Sequence, residues 1–145
     1  MPQERFRLVS AVHLFLVRGD KLLLLRRCTT GYEDGNYGVP AGHLDGGETV
    51  AAAGAREARE EVGIEVAEAV LRVVGVMHRR AADERVDFFL AATEWGGEPT
   101  NCEPGKCDEV RWADPGDLPP NVIPYVRRAI GNGWDAVWFD SFGWW

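Results

Sequence analysis

Three glutamates near the middle of the chain are spaced so that an α-helix would bring them to one face. Glu57, Glu60 and Glu61 are separated by three and four residues, the spacing of neighbours on a helix surface. Like charges four residues apart cost a helix roughly 0.2–0.5 kcal/mol, and acids in its last turn oppose the helix dipole by about 0.3–1 kcal/mol each. Mg²⁺ would compensate, because it binds a few carboxylates while keeping waters and taking substrate phosphates. The spacing therefore predicts a cation site.

An alternative interpretation makes the same acids a solvated helix face. Arg56 and Arg59 lie among them, and the four residues from Arg56 to Glu60 favour an ion pair on the helix surface. The sequence around the glutamates decides between the two interpretations.

Residues 42–64 resemble a known family motif. They read GHLDGGETVAAAGAREAREEVGI, which is similar to the Nudix box G-x5-E-x7-R-E-U-x-E-E-x-G-U at every specified position. The specified positions are filled by Gly42, Glu48, Arg56, Glu57, Ala58, Glu60, Glu61, Gly63 and Ile64. Looser similarity covers Gly-Val-Pro-Ala at 38–41 and the segment from Trp-Ala-Asp to Leu-Pro at 112–119. The chain is thus identified as a member of the Nudix hydrolase family, of the MutT-like kind.

The resemblance implies a set of metal ligands. Glu57 and Glu61 would bind the cation, with Glu60 a further ligand directly or through water and the Ala41 carbonyl another. Gly42 would turn the backbone so that this carbonyl faces the cation. The cofactor implied is Mg²⁺, with Mn²⁺ as a substitute.

The resemblance also implies the reaction, in which water attacks a phosphorus of a diphosphate linkage. The metal would neutralise phosphate charge and acidify the water, and a carboxylate would take the proton. Arg56 and Glu48 would form the pair that orients the catalytic glutamates Glu57 and Glu60, because crowded carboxylates need partners to hold their geometry.

The general base is expected in a loop that follows the helix. MutT-like members place a functional glutamate a short distance after Gly-Glu-Pro, and here Glu103 follows Gly-Glu-Pro at 97–99. Glu103 is therefore the first candidate. Glu98, Asp108 and Glu109 compete with it, and solvated loop acids are the alternative interpretation for all four.

Two residues are candidates for substrate binding. Arg27 ends the second predicted strand beside Arg26, where a guanidinium could reach a phosphate or a base, and the resemblance favours Arg27. An exposed pair of arginines is the alternative. His43 could contact substrate but fills a variable position of the box. His13 and His78 lie in strand patterns and are interpreted as structural residues with satisfied hydrogen bonds.

Composition limits the classes of protein that fit. The chain has 145 residues, is 46% hydrophobic and carries a formal net charge of −7, which favours one domain over residues 1–145 and counts against binding of duplex nucleic acid. Cys28, Cys102 and Cys107 form no even-numbered set and are expected to be reduced thiols. With no secretory signal and no apolar run of membrane-spanning length, the expected location is the cytoplasm, away from the membrane.

Hydrophobic patterning predicts the elements that position these residues. Strands are predicted at 8–17, 22–25, 70–77, 86–93 and 109–113, and helices at 49–62 and 122–130. Residues 28–47 are rich in Gly, Asp, Asn and Thr and predict a shaped loop. The order implies an α/β fold of the mixed α+β kind, a Nudix fold with a mixed β-sheet sandwiched between helices.

Aromatic side chains concentrate at the C-terminus. They are Trp134, Trp138, Phe139, Phe142, Trp144 and Trp145. Such apolar mass is expected to pack over the domain or against a second copy in a homodimer, and a wall for base stacking is the alternative.

The expected function is cleavage of the phosphoanhydride bond of a nucleoside diphosphate linked to another moiety. Residues 77–85 carry neither the proline typical of ADP-ribose enzymes nor the tyrosine typical of dinucleoside polyphosphate enzymes, which favours a nucleoside triphosphate or modified nucleotide. The first alternative is a non-catalytic nucleotide-binding regulatory module on the Nudix fold. A second alternative is an isomerase of prenyl diphosphates. For the expected hydrolase, an RNA 5′ end is a further possible substrate.

Overall fold

The most apolar segment of the chain forms the central strand of the sheet. We describe residues 3–145 from a computed structural model. The strands are β1 (Val9–Arg18), β2 (Lys21–Arg27), β3 (Tyr37–Gly38), β4 (Ala41–His43), β5 (Arg72–Arg80), β6 (Glu84–Ala92), β7 (Cys107–Ala113) and β8 (Trp138–Phe142). The helices are α1 (Val50–Val62) and α2 (Pro124–Asn132), with a 3-10 turn at Glu68–Val70.

The sheet is mixed. β1 pairs in parallel with β6 and antiparallel with β4, and its end forms a hairpin with β2. β5 is antiparallel to β6, while β8 runs parallel to β5 at the far edge. β3 and β7 flank β2. The predicted mixed sheet is therefore confirmed.

Alternate residues of β1 bury against the two helices. Val12, Leu14 and Leu16 belong to a core cluster with the small and apolar face of α1, whereas Phe15 and Val17 belong to a second cluster with α2. A strand buried on both faces reads as a continuous apolar run, as β1 does. One helix thus covers each face of the sheet, which confirms the predicted sandwich.

Three strands were not predicted. β3 and β4 lie inside the segment 28–47 that was predicted to be a loop, and β8 lies inside the aromatic C-terminus. β3 and β4 have two and three residues, which is too short to show a period of two. Elsewhere the strands extend into charged residues, such as the Arg79–Arg80 end of β5, because backbone pairing continues past the apolar part.

Three of the C-terminal aromatics, Trp134, Trp138 and Phe142, pack over the domain, as one of the two interpretations predicted, whereas Phe139 and Trp145 are exposed. Trp138 lies on Gly75, where any side chain would collide with its ring. Its indole nitrogen donates to the Gly133 carbonyl at 2.8 Å, and its ring centroid lies 5.3 Å from that of Phe89. Among residues 3–145, no helix has the length and apolarity that a membrane crossing needs.

Candidate active site

Helix α1 carries the predicted glutamates and is closed at both ends. The Thr49 side chain accepts from the Ala52 backbone N–H at 3.1 Å, so Thr49 is the cap and the helix begins at Val50. At the other end Gly63 adopts the left-handed conformation, with φ of 71°. The helix therefore ends directly after the glutamates and leaves their face free to meet β4.

Glu57 lies against the backbone of β4. Its side chain is only 10% exposed, and a Cβ on Gly42 would collide with its carboxylate. The prediction that Gly42 is needed to turn the backbone was therefore wrong. This glycine lies in an ordinary strand conformation and makes no turn, and it is required because it leaves room for the Glu57 carboxylate.

Glu61 is held by the next residue of the same strand. Its Oε2 accepts from the Ala41 backbone N–H at 2.9 Å. Burial raises the pKa of Glu61 to about 8, and the nearby charge of Glu57 adds to the shift. Burial also raises the pKa of Glu57, against the opposing effect of Arg56. Two carboxylates therefore lie together in a poorly solvated place with too little positive charge.

The register of β4 points the Ala41 carbonyl at the same place. Backbone hydrogen bonds join Leu14 to Pro40 and Leu44 to Ser10, so His13 and Ala41, between them, form a pair that does not hydrogen-bond. Both backbone groups of Ala41 consequently point away from β1, and its N–H already meets Glu61. The carbonyl is thus free to bind a cation beside that carboxylate.

Arg56 connects the box residues. It donates to both oxygens of Glu48 at 2.8 and 3.2 Å, to Glu57 at 2.8 Å and to Glu60 at 3.3 Å. It also donates to the His43 carbonyl at 3.2 Å. The bond from Arg56 lowers the pKa of Glu48, which keeps that carboxylate charged. The sequence spacing thus brought together the pair that was predicted to orient the glutamates.

The donor set suits Mg²⁺ in part. Glu57, Glu61 and the Ala41 carbonyl offer hard oxygen atoms, and the crowded negative charge would favour a divalent cation. Glu60 is about half exposed and faces Arg56. Among residues 3–145, no three acidic, histidine or cysteine side chains are already arranged around one point as ligands.

The loop after β6 brings Glu103 close to Glu57 and Glu61. In this loop the backbone N–H of Thr100 donates to the Val62 carbonyl at 3.0 Å, and that of Cys102 donates to the Glu61 carbonyl at 3.1 Å. These two hydrogen bonds attach the loop to the end of α1. Glu103 is close enough for its charge to help raise the pKa of both Glu57 and Glu61. The loop therefore adds a third carboxylate to the site.

The competing acids are engaged elsewhere. Glu98 makes two hydrogen bonds to Arg18 at 2.8 and 3.0 Å. Asp108 pairs with Arg26 at 2.7 Å, and Glu109 accepts from Tyr37 at 3.0 Å. None of these three acids lines the cavity that Glu103 lines.

A cavity beside the glutamates has charged and apolar parts. Its charged wall consists of Arg26, Arg27, Glu61, Glu103 and Lys106. Its apolar wall includes Leu25, Val39, Ile123 and Val126, with His13 and Tyr125. The arrangement suits a ligand with an anionic end and a flat end.

The two predicted substrate-binding residues have different positions. Arg27 lines the cavity, donates to the Tyr32 carbonyl at 2.8 Å and lies over the Tyr32 ring. His43 is exposed, lies outside the cavity lining, and its ring faces Arg85 at 3.4 Å. The structure thus brings Arg27 close to Glu61 and leaves the His43 ring outside the cavity lining.

Two cavity residues were missed by sequence analysis. Tyr125 follows Pro124 in α2 and carries no motif, so no signal singled it out. His13 was interpreted as a satisfied structural histidine, and that interpretation was wrong because its Nδ1 is buried without a hydrogen-bond partner in the described part of the chain. The strand pattern around His13 predicted that it lies in β1, but it could not reveal that a cavity adjoins this residue.

Comparisons with known proteins agree with this geometry. The NUDIX domain model matches residues 7–131. The NAD-capped RNA hydrolase NudC of Pseudomonas putida (strain W619) is 30% identical over 114 residues, which are 79% of this chain but only 39% of that protein. A putative 8-oxo-dGTP diphosphatase of Bacillus subtilis (strain 168) is 29% identical over 124 residues, covering 85% of this chain and 77% of the relative.

A solved structure is similar over most of the chain. The MutT NUDIX hydrolase from Burkholderia pseudomallei superposes with a TM-score of 0.81 at 27% identity, covering 88% of this chain and 99% of that one. Most of the arrangement of sheet and helices is therefore shared with that protein.

Proposed function

The chain belongs to the NUDIX domain family, and we propose that it is a Mg²⁺-dependent pyrophosphohydrolase acting on a nucleoside diphosphate linked to another moiety. The observation that carries this proposal is the pair Glu57 and Glu61, which lie together beside the Ala41 carbonyl at the edge of a cavity that is also lined by cationic side chains. Both ends of a nucleotide find a complementary surface there.

The names of the relatives support a nucleotide substrate. One is called an NAD-capped RNA hydrolase and another a putative 8-oxo-dGTP diphosphatase, and both names describe a nucleotide with a diphosphate linkage. A nucleoside triphosphate or a modified nucleotide is the substrate that we favour. Mn²⁺ is expected to substitute for Mg²⁺ because the donors are oxygen atoms.

Each residue of the site has a part in the proposed reaction. Glu57 and Glu61 would hold the metal with the Ala41 carbonyl, and a metal bound there neutralises phosphate charge and acidifies water. Arg56, fixed by Glu48, holds the Glu57 carboxylate in place.

The remaining roles fall to residues of the cavity and of the helix surface. Glu103 would accept the proton of the attacking water, and Arg27 would bind a phosphate of the substrate. Glu60, which faces solvent and Arg56, is proposed to act through a bound water. His43 is proposed as a contact for an extended substrate, since its ring lies outside the cavity lining.

The decisive experiment replaces Glu57 by glutamine. We expect Glu57→Gln to lower kcat about 100- to 1000-fold in a panel of nucleotides, dinucleotides and nucleotide sugars with Mg²⁺ or Mn²⁺. We also expect Mg²⁺ to raise the Tm of the wild type and not that of the variant, because only a ligand that binds the folded state stabilises it. The matched control is Glu65→Gln, an acid just beyond the same helix whose side chain is 73% exposed.

The outcomes separate the proposal from its alternatives. Full turnover in Glu57→Gln would contradict the proposed mechanism. Tight nucleotide binding by the wild type without cleavage of any substrate would instead identify a regulatory module. Release of a nucleoside monophosphate and a second phosphorylated product supports the proposal.

A further inference from the structure

His13 lies in the cavity wall on β1, and it has no part in the reaction proposed above. It is 3% exposed, and it lines the same cavity as Glu61 and Glu103. Its ring stacks on Phe89 with centroids 4.7 Å apart, and Tyr125 packs edge-on against it at 5.6 Å. The imidazole is therefore fixed between two aromatic rings at the side of the cavity.

One ring nitrogen of His13 is held by a buried acid. Nε2 lies 3.0 Å from Oδ1 of Asp87, whose side chain is fully buried. Arg79 donates to the other oxygen of Asp87 at 2.7 Å, and its guanidinium lies 3.7 Å from the centre of the Tyr125 ring. Asp87 and Arg79 thus fix the rotation of the imidazole from behind.

The other ring nitrogen is free. Nδ1 of His13 is the only buried side-chain nitrogen or oxygen of residues 3–145 that has no hydrogen-bond partner. Leaving such an atom unpaired is unfavourable, and buried polar groups without a partner are uncommon in folded proteins. Because His13 is one of the residues that line the cavity, a ligand bound there is the candidate for the missing partner.

The hydrogen on the imidazole can be assigned from its surroundings. Asp87 is ionised, because hydrogen bonds from His13 and Arg79 outweigh its burial and hold its pKa at about 2. An ionised carboxylate only accepts, so Nε2 of His13 carries a hydrogen. In an imidazole that carries one hydrogen, the other nitrogen accepts, so with the hydrogen on Nε2 the acceptor of His13 is Nδ1.

We propose that Nδ1 of His13 accepts a hydrogen bond from an exocyclic amino group of the substrate's nucleobase and so selects bases that carry one. The inference rests on the proposed function, since it takes the substrate to be a nucleotide. The neighbouring wall of Leu25, Val39, Ile123 and Val126 suits the flat face of a base. His13 is then a specificity residue, and Asp87 is its positioning residue.

Matched nucleotides test the proposal. Three pairs differ only in the amino group: adenosine and purine riboside, guanosine and inosine, cytidine and pyrimidin-2-one riboside. We would measure kcat/KM for their 5′-triphosphates and, separately, the Kd of their 5′-monophosphates by calorimetry. In the wild type, at least one amino-bearing member should be preferred about 3- to 10-fold, which is the effect of one hydrogen bond.

The variants isolate the free nitrogen. His13→Gln keeps an amide that reaches Asp87 but places no acceptor at the position of Nδ1, and His13→Leu removes both. In each variant the preference should fall to about one. The control is His78→Gln, a partly exposed histidine on β5 that pairs with Glu84 and lies outside the cavity lining; it should keep the wild-type preference.

Each outcome has a defined meaning. Cleavage with no amino preference, or with a preference that survives both His13 variants, overturns this inference and leaves the proposed function standing. A His13-dependent preference in monophosphate binding, without cleavage of any triphosphate, supports the inference and contradicts the proposed function. A wild type that binds none of the six monophosphates also overturns the inference.

Discussion

Two groups of ionisable side chains lie beside the cavity, one on strands β1, β5 and β6 and the other on helix α1, and they differ in how their charges are balanced. In the network of His13, Arg79 and Asp87, the carboxylate is fully buried yet its pKa is held at about 2. In the pair of Glu57 and Glu61, burial instead raises the pKa of both acids. The pKa shifts of the acids in the two groups therefore have opposite directions.

The difference lies in the partners. Asp87 receives hydrogen bonds from two side chains that can carry positive charge. Glu61 receives one backbone N–H, and its charged neighbours include Glu57 and Glu103. A buried carboxylate with enough partners is part of the folded structure, whereas one without them is suited to bind a cation. The comparison predicts that neutralising an acid will destabilise the first group and stabilise the second.

The largest effect on stability is expected from Asp87→Ala. This change leaves the buried Arg79 without its acid, and breaking such a pair costs about 3–5 kcal/mol of unfolding free energy. Urea denaturation at pH 7 measures the loss. The matched control is Asp83→Ala, since Asp83 forms an exposed pair with Arg85. Equal changes in the two variants would contradict the idea that the buried network is structurally important.

Acid should remove the same stabilisation in the wild type. The pKa of Asp87 lies below its ordinary value of 3.8 in the folded state, at about 2. Its stabilising effect is therefore complete above about pH 4 and is lost as the pH falls towards 2, a change of about 2 kcal/mol. Urea denaturation between pH 5 and pH 2.5 measures the slope. Asp87→Asn should lack this part of it, and identical slopes in both proteins would contradict the prediction.

The sequence predicted one of these two groups and not the other. Glu57 and Glu61 lie four residues apart on one helix, so local spacing was enough to place them together. His13 and Asp87 are 74 residues apart in sequence and meet only because β1 pairs in parallel with β6. A single sequence contains no local pattern that would reveal such a contact.

The same distinction explains the rest of the fold. Helix α1 and the long apolar strands followed from periodicity and capping residues, and the family prediction is confirmed by the match over residues 7–131. β4 was missed although it carries Ala41, because three residues in a glycine-rich segment show no period. β8 was missed because its pairing partner, β5, is distant in sequence. Glu103 and Arg27 were candidates from the resemblance, but their places in the cavity lining depend on tertiary contacts that the sequence does not show.

Neutralising the second group should have the opposite sign. Without divalent cations at pH 7, Glu61→Gln should raise the unfolding free energy by about 1–2 kcal/mol. The substitution removes a carboxyl group whose pKa is raised to about 8 in the folded protein, and the glutamine side chain can still accept the hydrogen bond from the Ala41 backbone N–H. Urea denaturation in EDTA measures the gain, and added Mg²⁺ should stabilise the wild type more than the variant.

The control for this gain is Glu60→Gln on the same helix turn. Its carboxylate is about half exposed, so removing its charge should leave the unfolding free energy nearly unchanged. A destabilised Glu61→Gln in EDTA would show that the pair already has enough positive charge around it, and the contrast with Asp87 would disappear.

The smallest effect is expected where an acid is paired but exposed. Glu98 makes two hydrogen bonds to Arg18, as good in geometry as those of Asp87, yet both side chains are about half exposed or more. Water already solvates such charges, so Glu98→Gln should not shift the urea midpoint beyond experimental error. Turnover should also stay unchanged, because Glu98 lies outside the cavity lining. A loss of kcat in Glu98→Gln would move the role of general base from Glu103 to Glu98.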